Sequence, residues 1–348
     1  MHKNQFSRRR FLGNGVAAAG MMAIGTPAFS STASGINSSL TGRLPREVWI
    51  ASFSQMGLTA ETPEEMAALT CRILDGITVY KPDVICLPEV FMFTNVKRKY
   101  SLEGKVEVSA KLLKLFSNYA HQNNCYVICP AYTTEYGKVF NSAVVFNRSG
   151  EYLGEYRKIH PTEGEISGGI TPGPLDPPVF KTDFGTIGIQ ICFDILWDDA
   201  WKALREKGAE IVFFTAAYAG GQAVNAKAWE NKYVVASSTT KNTAKICDIT
   251  GEEISKTGIW DQNLVCAPVN LEKAFLHVWP YVRQFDKIRA RYGRAVKITN
   301  FHEEEWAIIE SLSPDISVKS ILKEFDLKTH EEHTRSAEEV QNRARNSN

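Results

Sequence analysis

The chain has no apolar run of the roughly 18 residues from which a membrane-crossing helix is read. Its apolar stretch near the N-terminus, Gly15 to Gly25, is shorter and diluted by alanine and glycine, so stable membrane insertion is not expected. Surplus charge of one sign is missing too: 40 Lys and Arg against 39 Asp and Glu leave a net charge of +1. The basic residues are dispersed, and the Lys/Arg-rich stretch from Arg283 to Arg294 alternates with apolar positions as a solvated helix face does. Nucleic acid is therefore not an expected partner. Seven cysteines form an odd set without the close, regular spacing of a disulfide scaffold or a zinc site. Cys125 and Cys129, four apart in an apparent strand, would lie about 13 Å apart, beyond disulfide reach. No internal repeat or low-complexity block is evident.

What is present suits a sizeable folded core, with 44% hydrophobic and 11% aromatic residues in 348. Apolar strands are expected at 47–54, 83–88, 125–132, 142–147, 186–192, 210–215, 232–237 and 262–268. Thr62 reads as an N-cap with Pro63 in the first helical position, opening a helix to about Tyr80. Further helices are expected from Val108 to Asn123, Asp198 to Lys207 and Gly221 to Asn231. The alternation predicts an α/β fold.

Three strand ends stand out. Ile187-Gly188-Ile189-Gln190-Ile191-Cys192 is a buried-type strand that stops at a thiol, followed by Phe193-Asp194-Ile195-Leu196-Trp197. A strand-to-helix elbow would fix such a thiol and expose it as a nucleophile, although most free cysteines simply pack in cores. Pro82-Asp83-Val84-Ile85-Cys86-Leu87-Pro88-Glu89-Val90-Phe91 delivers a carboxylate, Glu89, where Pro88 stops the ladder. Tyr156-Arg157-Lys158-Ile159-His160-Pro161 offers an amine beside another proline-marked break. Open α/β sheets gather their chemistry at the carboxyl ends of strands, so Glu89, Lys158 and Cys192 could meet on one rim.

In that order and in those surroundings, with the Glu-Asn pair of Ala228-Trp229-Glu230-Asn231-Lys232 further on, the chain resembles the nitrilase, or carbon-nitrogen hydrolase, superfamily over about residues 47–270. The resemblance implies a four-layer αββα sandwich, a hydrolase domain over residues 45–280, and a homodimer or higher homo-oligomer. It also implies a catalytic Glu89, Lys158 and Cys192. Glu89 would take the proton of Cys192, whose thiol is otherwise mostly protonated at neutral pH. Lys158 and the Phe193 backbone N–H would meet the developing negative charge. This chemistry requires no metal and no organic cofactor.

The family commonly carries a second carboxylate just after its lysine. Glu163 and Glu165 compete for that place; the spacing of Glu165 suits the resemblance better, and Glu163 could be a solvated loop charge. His160 is expected to be a hydrogen-bonded structural histidine, since the scheme leaves it no task. Phe193, Trp197, Tyr218 and the Gly220-Gly221 pair could line a substrate pocket or could serve packing and turn formation. Phe184-Gly185, Gly188 and Cys192-Phe193-Asp194-Ile195-Leu196 are similar to the pantetheinase and biotinidase branch, which cleaves amides. Hydrolysis of a small-molecule amide or N-carbamoyl amide is the first reading by this resemblance. A nitrilase, and a noncatalytic binding or assembly protein on the same fold, are the alternatives.

At the N-terminus, Ser7-Arg8-Arg9-Arg10-Phe11-Leu12 ahead of the apolar run resembles a twin-arginine export signal. Residues 1–35 are thus expected to be removed, with cleavage between Ala28 and Ser34, leaving the mature protein in the periplasm or outside the cell. Export after folding would carry buried free thiols across protected. Residues 281–348 are expected to form a C-terminal extension. Phe301, Trp306, Ile308, Ile309, Ile316 and Ile321 are too apolar for a free tail and should dock, while Thr329 to Asn348 should fray.

Overall fold

The computed structural model describes residues 44–347, and within them two six-stranded sheets carry the fold. The first holds, from edge to edge, β12 (Leu264–Asn270), β1 (Glu47–Phe53), β2 (Val84–Cys86), β3 (Tyr126–Glu135), β4 (Lys138–Phe146) and β5 (Tyr152–Arg157). The second holds β11 (Glu253–Lys256), β10 (Lys245–Cys247), β9 (Val234–Thr239), β8 (Ile211–Ala216), β7 (Thr186–Ile191) and β6 (Phe180–Lys181). The neighbours β1, β2 and β3 run parallel, as do β7, β8 and β9; the outer strands of both sheets are antiparallel. Each of the eight expected strands is present.

Because strand side chains alternate between faces, each central strand feeds two layers of core. Val48, Ile50, Val84 and Ile128 of the first sheet meet Ile187, Ile189, Ile211 and Phe213 of the second in one buried cluster. The alternate residues Phe53, Ile85 and Val127 pack outward under helices α1 (Pro63–Leu74) and α2 (Leu102–Asn123). Val212, Phe214 and Val235 do the same under α4 (Asp198–Glu206) and α5 (Gln222–Asn231), which follow the single-turn α3 (Glu163–Ser167). Both faces of the sheets are covered, which is why the strands read as continuous apolar runs, and the layers stack as the expected αββα sandwich. Gly188 lets α4 come close to β7: a Cβ there would fall 2.8 Å from Leu204.

Helix boundaries differ from the sequence reading for local reasons. The first helix is capped by Thr62, whose side chain accepts from the Glu65 N–H, but after Leu74 it tightens into a 3₁₀ turn over Asp75–Tyr80, where Gly76 and the β-branched Ile77, Thr78 and Val79 favour the α-helix poorly. The second helix starts at Leu102, six residues before the expected Val108, because Ser101 caps it by accepting from the Gly104 N–H. Its first six residues are only half-buried or exposed, with Leu102 and Val106 the only apolar side chains among them, which weakens the apolar period there.

Beyond β12 the chain builds a third sheet, β13 (Lys273–His277), β15 (Trp306–Ser311) and β14 (Val296–Phe301), with helices α6 (Val282–Tyr292), α7 (Val318–Glu324) and α8 (His330–Asn346). Leu276, Phe285, Ile288, Ile309 and Ile321 form its own core. Phe275 and Ile308 join the cluster between the two large sheets, with Phe301 and Trp306 packed against it. β13 pairs with β15 across the expected division at residue 280. The polar tail forms α8, where Thr329 and Glu332 cap one another's backbone N–H groups in a capping box; no residue of α8 is buried.

The export-signal expectation, residues 1–35 with its cleavage window, lies outside the described residues. Among the described residues no helix is long and apolar enough to cross a membrane, and no group of three or more His, Cys, Asp or Glu could hold a metal ion. All seven cysteines are unpaired.

Candidate active site

Three chain reversals bring the named residues to one rim. β2 ends at Cys86, and the chain passes Pro88 to Glu89 and then to Val90, which adopts the left-handed region at φ 38°. β7 ends at Ile191, and Cys192 itself is left-handed at φ 51°, opening a 3₁₀ turn over Cys192–Leu196. A β-branched valine and a cysteine in that region are strained by about 1–3 kcal/mol each, and such strain gathers where a fold must present a group. Lys158 follows β5, and its backbone N–H donates to Asn141 O at 2.9 Å. The β4–β5 ladder thus sets Asn141 opposite Lys158.

Lys158 is 2% exposed and Glu89 4%. The ammonium donates to Glu89 Oε1 at 2.7 Å and to Glu165 Oε2 at 2.8 Å. Asn141 Nδ2 bridges the same two carboxylates, 2.9 Å from Glu89 Oε1 and 2.9 Å from Glu165 Oε1. Glu165 is held further by α3: its Oε2 accepts from the Thr162 N–H at 2.8 Å while Thr162 Oγ1 accepts from the Glu165 N–H at 3.2 Å. Glu163, its competitor in the sequence, is exposed at the start of α3.

Cys192 completes the cluster. Its thiol is close enough to the Glu89 carboxylate, the Lys158 ammonium and the Ala217 backbone N–H for all three to act on its proton affinity. Burial, reinforced by the Glu89 charge, pushes the thiol up to about 12, against the smaller opposing pull of Lys158 and the Ala217 N–H. Burial pulls the Lys158 pKa down, but Glu89, Cys192 and Glu165 together hold it above the ordinary lysine range. For Glu165 burial is likewise outweighed, by Lys158, the Thr162 N–H and Asn141, and its carboxyl is held below the ordinary 4.5. The arrangement is a fixed ammonium between two carboxylates with a neutral thiol beside one of them. It can take a proton from sulfur and return it elsewhere, with a positive charge at hand for a nascent anion.

The expected pocket residues form an aromatic flank to this cluster. Trp197 stacks on His160 with ring centroids 4.0 Å apart, and Phe193 meets Trp197 edge-on at 5.1 Å. Tyr218 is half-exposed, set edge-on against Phe214, and burial, with Cys192 and Glu89 nearby, raises the pKa of its hydroxyl. His160 is tied to Asp194: its N–H donates to Asp194 Oδ1 at 2.7 Å and its Nδ1 lies 3.0 Å from the same oxygen.

Two residues escaped the sequence reading. Asp194 is fully buried; its Oδ2 accepts from Tyr156 Oη at 2.7 Å and from the Ile191 N–H at 3.1 Å, so it clamps the cysteine elbow to the lysine loop. Asn141 joins the two carboxylates from the middle of an apolar strand. The available signal was polarity out of place: an Asn within Val139-Phe140-Asn141-Ser142-Ala143-Val144, and an Asp in an otherwise apolar turn.

A family model described as carbon-nitrogen hydrolase matches residues 50–274. Among curated relatives, the chain is 26% identical over 149 residues to a deaminated glutathione amidase of Synechocystis sp., covering 39% of this chain and 54% of that protein. It is 30% identical over 158 residues to the beta-ureidopropionase of Arabidopsis thaliana, covering 42% of this chain and 38% of the relative. The chain thus spans about half or less of the length of these two relatives. Among solved structures it is similar to an amidase from Nesterenkonia sp. AN1, with a TM-score of 0.57 and 18% identity over 63% of this chain and 92% of that one. At that identity the likeness concerns the fold. That structure is described as the result of Michael addition of acrylamide at the active site cysteine.

Proposed function

The chain belongs to the carbon-nitrogen hydrolase family, and from that premise we propose that it hydrolyses a non-peptide carbon-nitrogen bond, in a small amide or N-carbamoyl amide, through a thioester on Cys192. The observation that carries the reading is the Lys158 ammonium held 2.7 Å from Glu89 and 2.8 Å from Glu165 beside a thiol at a strained strand end.

Burial and the Glu89 carboxylate hold the proton on the thiol, so a base must take it for sulfur to attack. Proton removal therefore accompanies attack. Glu89 takes the proton as sulfur bonds to the acyl carbon, and the carbonyl π pair moves onto oxygen. That oxyanion is met by the buried Lys158 Nζ and the Phe193 backbone N–H, donors fixed in advance. Protonated Glu89 then hands its proton to the departing nitrogen as the C–N bond breaks, releasing the amine and leaving a thioester. Water, losing a proton to Glu89, attacks the thioester; collapse returns the proton to sulfur and frees the acid. Glu165 and Asn141 act by holding Lys158 and Glu89 in register. The likeness to a deaminated glutathione amidase and to a beta-ureidopropionase favours amide and carbamoyl substrates as a class.

The test is intact-protein mass spectrometry after incubation with a panel of amides, N-carbamoyl amino acids and nitriles. An acyl adduct that maps to Cys192, with amine or carbamate-derived ammonia released, is expected. A panel that leaves Cys192 unmodified and no product in solution would overturn the reading. Turnover confined to nitriles would move the protein to the nitrilase alternative.

A further inference from the structure

On the rim of the second sheet where β7, β8 and β9 begin, a cavity of about 310 Å³ opens beside the third sheet and α8. Cys192 lies at the other end of β7, a six-residue strand and so about 20 Å away, which separates this cavity from the candidate active site. Its volume is at the lower bound of ordinary ligand pockets. Phe275, Leu271 and Ile249 supply apolar wall, while Arg205, Lys232 and His330 bring donors to it.

Among the described residues most charges around it are paired, and Lys232 is the exception. Lys273 is bound by Asp248 at 2.9 Å, and Glu210 is bound by Arg46 at 2.8 Å. Glu331 lies 2.9 Å from Arg335 and only 3.7 Å from Arg205. Lys232 makes no ion pair among the described residues; its ammonium donates to the Trp229 carbonyl and sits 4.4 Å from the Trp229 ring centroid and 4.6 Å from that of Phe275. His330 Nδ1 is buried without a hydrogen-bond partner. Thr329, His330 and Glu331, which line the cavity, also open the 17-residue α8, so its positive end is directed there, offset in part by the Glu331 carboxylate and by the Thr329–Glu332 capping box.

We propose that this cavity binds a small oxyanion, a carboxylate or phosphate on a compact body, through Lys232, Arg205 and the first turn of α8. Without such a ligand the donors work against one another: burial, and then Arg205, bring the Lys232 amine down to about 8, and burial with Lys232 and Arg205 brings His330 down to about 4. An anion would relieve that repulsion, satisfy groups that are costly to leave unpaired, and tie α8 and β13 to the ends of α4 and α5. The apolar wall would take the body of an organic carboxylate.

Titration calorimetry on the whole protein, with benzoate and inorganic phosphate as separate probes at matched ionic strength, tests this. Saturable binding of at least one probe is expected, weakened about tenfold or more by Arg205→Gln and by Lys232→Gln; the tighter probe identifies the source of the anion. Should Lys232→Gln fail to fold, Arg205→Gln, at the partly exposed mouth, decides alone. Absence of saturable binding of both probes up to about 10 mM, or binding that survives the substitutions, overturns the proposal.

Discussion

Replacing Glu165 by glutamine removes one charge and almost no volume, and the surrounding hydrogen bonds leave the new amide no good orientation. The carboxylate accepts three: from Lys158 Nζ and the Thr162 N–H on Oε2, and from Asn141 Nδ2 on Oε1. An amide nitrogen in place of Oε2 faces an ammonium and an N–H. In place of Oε1 it faces the Asn141 amide, which turns away only by pointing its oxygen at Glu89. One charge-assisted bond to Lys158 is thus lost or spoiled, worth about 1.5–3 kcal/mol. If Lys158 stabilises the oxyanion, kcat should fall roughly 10- to 150-fold at about 1.4 kcal/mol per decade. Initial rates on the best amide of the panel, with thermal unfolding in parallel, make the measurement. KM should move little, since the loss concerns the transition state. A pH series adds a second readout. Because the Glu165 carboxyl is held below 4.5 in the fold, its contribution to stability is present above the unfolded value and lost as pH falls through the folded one. The gap in Tm between wild type and variant should be constant above about pH 5 and close below it. A variant within about threefold of wild type in kcat, with an unchanged Tm, would refute the assignment; Glu163→Gln, on the exposed neighbour, should behave that way.

Cys192→Ala should abolish turnover while leaving the far-ultraviolet circular dichroism unchanged, and Cys192→Ser should be nearly as poor, since the serine hydroxyl is a weaker acid than the thiol and the base is the same. Lys158→Ala should cost at least ~10²-fold in kcat, the typical worth of one oxyanion donor, and should lower Tm because Glu89 and Glu165 are left without the ammonium they share. Asn141→Ala strips one donor from each carboxylate and should reduce kcat by about tenfold in steady-state assays. Asp194→Asn must turn an N–H toward a donor on one side or the other, and a drop of several degrees in Tm, about 1–3 kcal/mol, is expected by differential scanning fluorimetry.

Much of this site was readable because its members sit where local patterns end. Glu89 and Cys192 terminate apolar runs, and Lys158 precedes a proline-marked break, so each is found by asking where a strand stops. Asn141, Asp194 and Tyr156 carry no such mark. They lie inside or beside apolar segments, and apart from the Ile191 N–H on Asp194 the partners that tie them into the site are 24 to 52 residues away in the chain, so no local period reports them. The choice between Glu163 and Glu165 was likewise open until α3 folded. Its capping box turns Glu165 back toward Thr162 and Lys158 and leaves Glu163 in solvent.

The sequence by itself determined eight of the fifteen strands among the described residues, four of the helices and the two-sided burial of the central strands, because periods of two and of 3.6 residues are properties of neighbours along the chain. It also determined which three chemically capable side chains stand at strand ends. Only the tertiary structure decided that β12 returns to pair with β1, that a third sheet forms from residues on both sides of 280, and that two carboxylates share one lysine and one asparagine. Those outcomes depend on hydrogen bonds and packing between segments far apart in sequence, whose geometry exists only once both sheets have closed on their common core.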